Sequence, residues 1–481
     1  MRGFHFALLS SLVLAGTAMI ECSSDKGTCD DAGNCSDGGV PSVSGGGCDS
    51  SKPSSQGGCA VDDTDGFFVS PNGLDTNAGT KTAPFKTIAA GISAASAGAS
   101  KPNVYVCAGS YPENLVIKGA PAGVALHGGF DCASWLQTNA TTTVAPTWIA
   151  NATKPQYVLA VDATAALVEG LTLNAPNAAD PGGSSIAVFV SASPGMTLRR
   201  SSVVGGDGST GADGVQPAPL GANTAGSLGL NGAASPAVVC NCATDTTTGG
   251  AGGGYVDGGF VPPSNGLPVI NGDMDAGRAG TQLSPPGVNG ADGLPGKGGN
   301  STGTLGALSS NGWTTSPGGA GNVGGTAQGG GGAYGDPGSN VTGGGGGCGG
   351  CGGPGGPGGG GGGASIGIAS LASTLRVQSS TVRAGKGGNG GNGALGQIGQ
   401  AGGVGGKNLA PGGGTGGTGG GGGSGGGGAG GISIAIATVS TTPDIDQQST
   451  ILAGTGGQGG KDATAAQTKA IDGLAATVHA F

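Results

Sequence analysis

The chain has 481 residues, and 117 glycines with 27 prolines account for 144 of them. That is the composition at which low complexity becomes the default, yet collagen is excluded because no strict Gly-x-y period runs through it. A formal net charge of −9 with only 9% charged residues leaves no basic patch to neutralise phosphates, which excludes nucleic acid as a partner.

The chain opens on "MRGFHFALLSSLVLAGTAMIEC". Arg2 supplies a positive start, Phe4 to Leu14 an apolar run, and Gly16 to Ala18 small residues at a cleavage point, so residues 1–21 read as a signal peptide. The run is too short to span a bilayer as a stable helix, and no second long apolar run follows. Eleven cysteines then fit the oxidising side of a membrane, where disulfides persist. The stretch resembles a lipoprotein signal, which would make Cys22 the lipidated residue and the membrane a partner only through that anchor. Ten cysteines would remain for disulfides: Cys29, Cys35, Cys48, Cys59, Cys107, Cys132, Cys240, Cys242, Cys348 and Cys351. Glu21 stands where such a signal usually has a small residue, and cleavage after Ala18 to give a soluble secreted protein is the competing reading. Either way the protein is exported, to the outer membrane, the cell surface or the medium.

Residues 22–62 read as a tether of Cys, Ser and Gly, with Cys29–Cys35 and Cys48–Cys59 as small loops. Its "DKGTCDD" and "DDTD" stretches could hold calcium, but no complete EF-hand loop is present and a solvated acidic linker is the reading taken, so no cofactor is expected. Phe67 to Val69 then read as a strand and "SPNGLDTNAGT" as turns, with Asp75 and Asn77 as turn formers. Pro84 fits a first helical position, and Phe85, Ile88, Ile92 and Ala95 recur at helical spacing. "NVYVCAGSY", "NLVIKG" and "GVALHGGFDC" follow as strands.

This succession, "FVSPNGLDTNAGTKTAPFKTIAAGISAA" followed by "VYVCAGSYPENLVI" and "VALHGGFDC", resembles the opening of a right-handed parallel β-helix. It is similar to an uncharacterised, exported bacterial branch of the pectate-lyase-like superfamily that carries a domain of unknown function. The resemblance implies an all-β fold, a right-handed parallel β-helix solenoid with a short N-terminal helix. Cys107 and Cys132 lie 25 residues apart, about one coil, so a bridge there would staple neighbouring coils. Glu113, in "SYPENL", is expected to cap turn amides of the next coil, and His127, in "LHGGFD", to be structural.

Three later segments repeat a pattern: Ser184–Gly208, Ala364–Gly388 and Ile432–Gly460 each begin Ser-Ile-x-(Ile/Val), turn, and end in glycine. Ile186 and Val188, Ile366 and Ile368, and Ile434 and Ile436 are expected to face inward as a ladder. The predicted organisation is therefore a β-helix over 63–208, 364–384 and 431–454, glycine-rich insertions over 209–363 and 385–430, and a tail over 455–481. A solenoid tolerates such insertions because each coil contacts only its neighbours. The tracts either project as flexible loops or pack as polyglycine helices bonded through their backbones; the expectation taken is flexible loops. "GGNGGNG" and "GGTGGTGG" resemble the glycine-rich repeats of mycobacterial PGRS surface proteins.

Chemistry is sparse. "CNC" at 240–242 and "CGGC" at 348–351 supply four thiols, a formal zinc set, but in an oxidising compartment disulfides are the expectation and no metal ligand is assigned. The enzyme reading, a polysaccharide lyase or glycoside hydrolase acting on a uronate polymer, rests on Asp162, Glu169, Arg199, Arg200, Arg376 and Arg383. It expects Asp162 and Glu169 to share an edge and Arg199 and Arg376 to stack at equivalent places in two repeats. Neither a typical lyase nor a polygalacturonase motif is present, and no catalytic residue is assigned. The function expected is that of a non-enzymatic envelope or surface protein, structural or adhesive, with polysaccharide or envelope components as partners.

Overall fold

The computed structural model describes residues 61–98, 100–120, 122–138, 140–151, 156–220, 236–243, 245–270, 272–338, 341–407, 411–464 and 466–481. The signal peptide, Cys22 and Cys29, Cys35, Cys48 and Cys59 lie outside them.

Three parallel sheets wrap one interior, and each coil visits them in the same order. The first sheet stacks Gly66–Val69, Asn103–Cys107, Val124–Phe130, Ala166–Glu169, Met196–Arg199, Leu375–Gln378 and Asp444–Ile445. The second stacks Gly109–Tyr111, Thr142–Val144, Leu171–Asn174, Ser202–Val204, Thr381–Arg383 and Thr450–Leu452. The third stacks Leu115–Lys118, Tyr157–Asp162, Ser185–Ser191, Ser365–Leu371, Ser433–Val439 and Ala475–Ala480. The fold is a parallel β-helix.

Register brings like residues together. Leu126, Val168, Leu198 and Val377 pair in one column, and Val144, Leu173, Val203 and Val382 in another. All eight are fully buried, and each contributes on the order of 1.5–3 kcal/mol by leaving water. In the third sheet only part of the predicted ladder faces this interior. Leu159, Val188, Ile368 and Ile436 do. Ile186, Ile366 and Ile434 stack in register but lie in a second cluster, covered by Leu308 and Trp313. The alternation breaks between them: Ala187 and Ala435 join the interior together with the residues that follow them.

The helix Ile88–Ala97 covers the first coil with Ile88, Ile92 and Ala95. Thr87 caps it, its Oγ1 accepting from the Ala90 amide at 3.1 Å. Glu113 adds a second cap from a distant strand end, accepting from the Ile88 and Ala89 amides at 2.8 and 3.0 Å. So Glu113 holds a helix start rather than a turn of the next coil, because a helix offers several unpaired amides at one place. Asp75 accepts from Lys86 and Thr87 beside it. Glu113→Ala is expected to destabilise the fold by about 1–2 kcal/mol, measured by urea unfolding.

The glycine tracts are not loose loops among the described residues. Every excursion leaves after a strand of the second sheet and returns at the third, and pairing continues across the boundary with a new period. The Gly205, Gly208, Gly211 and Gly214 amides donate to Arg383, Lys386, Asn389 and Asn392 carbonyls, each at 2.8 Å. Bonds every third residue, without strand pairing, mark extended polyglycine helices, three residues per turn. Residues 411–432 bond to five other such segments: 287–302, 316–335, 343–363, 385–407 and 454–463. The expectation of flexibility is corrected for a physical reason. Glycine lacks a side chain to bury, but most of its backbone groups in these segments bond to neighbouring segments, which offsets the ordering entropy.

The same packing explains the near-pure glycine of 343–363. A Cβ on Gly346 would lie 1.9 Å from the Gly330 oxygen, and one on Gly347 would lie 1.9 Å from the Gly403 oxygen. Outer segments keep room at every third position: Lys386, Asn389, Asn392, Leu395, Ile398, Ala401 and Val404 are all exposed. Asn and Asp on these ridges bond the next segment, as when Asp213 Oδ1 accepts from the Asn392 amide and Asn392 Oδ1 from the Lys461 amide.

Candidate functional site

Four charged or titratable groups, His127, Glu169, Arg199 and Arg200, meet on the outward face of the first sheet. Phe68, Tyr105, His127, Glu169, Arg199 and Gln378 form one column in register. Phe68 and Trp135 meet edge to face, and Tyr105 stacks on His127. This puts an aromatic roof over one end of the column and buries Glu169, which is 2% exposed.

Glu169 is held on several sides. His127 Nδ1 lies 2.8 Å from its Oε2, Arg199 Nε donates to Oε1 at 2.8 Å, and Arg199 Nη2 donates to Oε2 at 3.2 Å. Arg200 Nη2 donates to Oε1 as well. Neighbours along a strand normally point to opposite faces. Arg200 reaches the same carboxylate because it sits just past the strand at φ +46°, in the left-handed region. Gly170 and Ser379 take that conformation at the matching corners of the adjacent coils. Burial pushes the Glu169 carboxyl up, but His127 and Arg199 outweigh it and draw the group down to about 2. A carboxyl so held stays ionised and cannot serve as a general acid near neutrality.

The structure brings together Glu169, Arg199 and Arg200, with His127, but not the other candidates. Asp162 ends a strand of the third sheet, in register with Lys118, so it shares no edge with Glu169. Arg376 pairs in register with Thr197, while Arg199 pairs with Gln378. The expected Arg199–Arg376 stack is therefore two positions out of register, and Arg376 instead meets Asp444 at 3.7 Å. Arg383 belongs to the second sheet. His127 was legible as a structural residue but not as a partner of Glu169, which lies 42 residues away.

The cysteines form three disulfides: Cys107–Cys132, Cys240–Cys348 and Cys242–Cys351. The last two join a strand to a polyglycine helix. Two residues along a strand, or three along such a helix, return to the same face, so a C-x-C and a C-x-x-C meet as two parallel bridges. The four thiols of the formal zinc set are thereby consumed in pairs. Among the described residues no group of three His, Cys, Asp or Glu could hold a metal ion. Of the acidic stretches weighed for calcium, "DKGTCDD" lies outside the described residues. In the other, Asp62 accepts from the Thr64 hydroxyl and amide, which hold its carboxyl below the usual range, and Asp63 accepts from the Lys81 amide. No helix of the described residues is long and apolar enough to cross a membrane.

Residues 71–234, less than half of the chain, match a family described as a protein of unknown function (DUF1565). No curated protein matches. Among solved structures, the chain is similar to the pectin methylesterase of Aspergillus niger at 15% identity and a TM-score of 0.19. That likeness covers 35% of this chain and 53% of the other, so the match spans about half of the esterase's length.

Proposed function

We propose that this is an exported, non-enzymatic structural or adhesive protein of the cell envelope or surface, whose outer face binds polysaccharide. The observation that supports the reading is the polyglycine bundle. Nearly half of the described chain beyond residue 204 builds a hydrogen-bonded body whose exposed ridges carry amides, hydroxyls and few charges, such as Thr210, Asn389, Asn392 and Gln458. Rows of neutral donors and acceptors match sugar hydroxyls. The disulfides suit an oxidising compartment. The clustered charges are consumed in an ion network around Glu169 instead of lining an open groove, which weighs against the uronate-cleaving alternative. Lipid attachment at Cys22 would supply the anchor.

The test is a sizing run of a polysaccharide panel after incubation with purified protein and calcium. Co-elution of a polymer at unchanged length is the expected result. Shortening of a polymer would overturn the non-enzymatic reading, and the absence of co-elution with every polymer would overturn the binding one.

A further inference from the structure

The bundle carries an unfinished line of hydrogen bonds. Segment 454–463 lies between 385–407 and 411–432. It accepts from the Gly387, Gly390 and Gly393 amides at its Thr455, Gln458 and Lys461 carbonyls. On the other side its Gly457, Gly460 and Ala463 amides donate to the Gly431, Gly428 and Gly425 carbonyls. The segment then turns away, and the two rows beside it continue. Gly396, Gly399 and Gly402 present the next amides of one row, and Gly422, Gly419 and Gly416 the next carbonyls of the other. None of these amides or carbonyls has a hydrogen-bond partner among the described residues. Gly416 and Gly419 are themselves buried. The open track covers three triplets, about 28 Å at about 3.1 Å per residue.

A second line that stops early shows that the chain has means of closing such a track. Segment 205–214 accepts from the Gly363 and Gly360 amides at Ser209 and Ala212. Where that line runs on, the next donors would be residues 357 and 354, and both are proline, which has no amide to leave unpaired. The Cys351 amide that follows donates to the Gln400 side chain at 3.4 Å. There the first three donors are removed or capped. Beside 454–463 neither device appears, and an unpaired buried backbone group is unfavourable. The flank of the open track is also apolar: Leu395, Ile398 and Val404 are 53%, 81% and 60% exposed.

We infer that this track binds an extended Gly-Gly-x polypeptide supplied by a different protein. Only a polyglycine helix offers carbonyls and amides at a three-residue period with no Cβ at the two crowded positions. Such a partner would extend the pattern that Thr455 to Ala463 begins, and would cover the apolar flank.

The test is amide hydrogen exchange of the full chain, resolved by residue, with and without a synthetic peptide of Gly-Gly-Gln triplets. In the free protein Gly390 and Gly393 should exchange slowly and Gly396, Gly399 and Gly402 fast. Saturating peptide should slow the latter three by about tenfold or more. A variant with three Gly-Gly-Gln triplets inserted after Lys461 should fill the track itself, show the same protection without peptide, and lose the peptide response. Protection of the three amides in the free monomer would overturn the proposal, since the chain would then close its own track. Protection that rises with protein concentration alone would overturn it in favour of a second copy as the occupant. No response up to millimolar peptide would also overturn it.

Discussion

Gly420→Ala should destabilise the protein by about 3 kcal/mol or more, while Gly421→Ala, one residue on, should be neutral or slightly stabilising. A Cβ at Gly420 would stand 1.9 Å from the Leu294 oxygen and 2.4 Å from its carbon, both backbone atoms that cannot turn aside. The segments would have to spread, breaking bonds in several neighbours, so the effect lies at or above the upper end of overpacking. At Gly421 the nearest atom, the Gln397 oxygen, is 3.7 Å away, an ordinary contact. There alanine also lowers the entropy of the unfolded chain, favouring the fold by about 0.4–1 kcal/mol. Urea unfolding of the two variants beside the parent measures the difference. Equal stabilities would show that 411–432 is not packed closely against 287–302.

The second large effect belongs to Glu169. Its folded carboxyl titrates at about 2, below the ordinary value of 4.5. A depressed acid adds stability that is fully present above its unfolded value and is lost as pH falls toward the folded one. The window is therefore about pH 4.5 down to 2, and the contribution is on the order of 3 kcal/mol. Glu169→Gln should remove that part of the pH dependence. It should also destabilise the protein near neutrality by about 3–5 kcal/mol, because Arg199 and Arg200 would lose their shared carboxylate. Stability measured from pH 3 to 7 on parent and variant checks both statements. Parallel curves would mean that Glu169 is not held as an ion.

The solenoid was legible because its signal is local. Ser-Ile-x-(Ile/Val) recurs in three segments, and the Cys107–Cys132 spacing matches one coil. The bundle was harder to read. Its neighbours come from stretches as far apart as Asn289 and Thr415, and glycine leaves no side-chain pattern to align. A trace was present all the same: "GKGGNGGNG" spares one position in three, the mark of an outer segment, whereas 343–363 is glycine at nearly every position, the mark of an inner one. The Glu169 network was illegible because it depends on register between coils of unequal length and on the left-handed turn at Arg200. Arg199 and Arg376 looked equivalent because each follows Thr-Leu, but Met196 pairs with Leu375, which sets Thr197 and not Arg199 beside Arg376.

All three glycine-rich excursions leave the solenoid at one corner, and both parts of the molecule are built of rows that bond their neighbours through the backbone. A tandem duplication copying one coil with its excursion would therefore lengthen both at once, and the new rows would find partners already in place. Such a chain can change its size by whole units in a single genetic event, without a new core having to evolve around the addition.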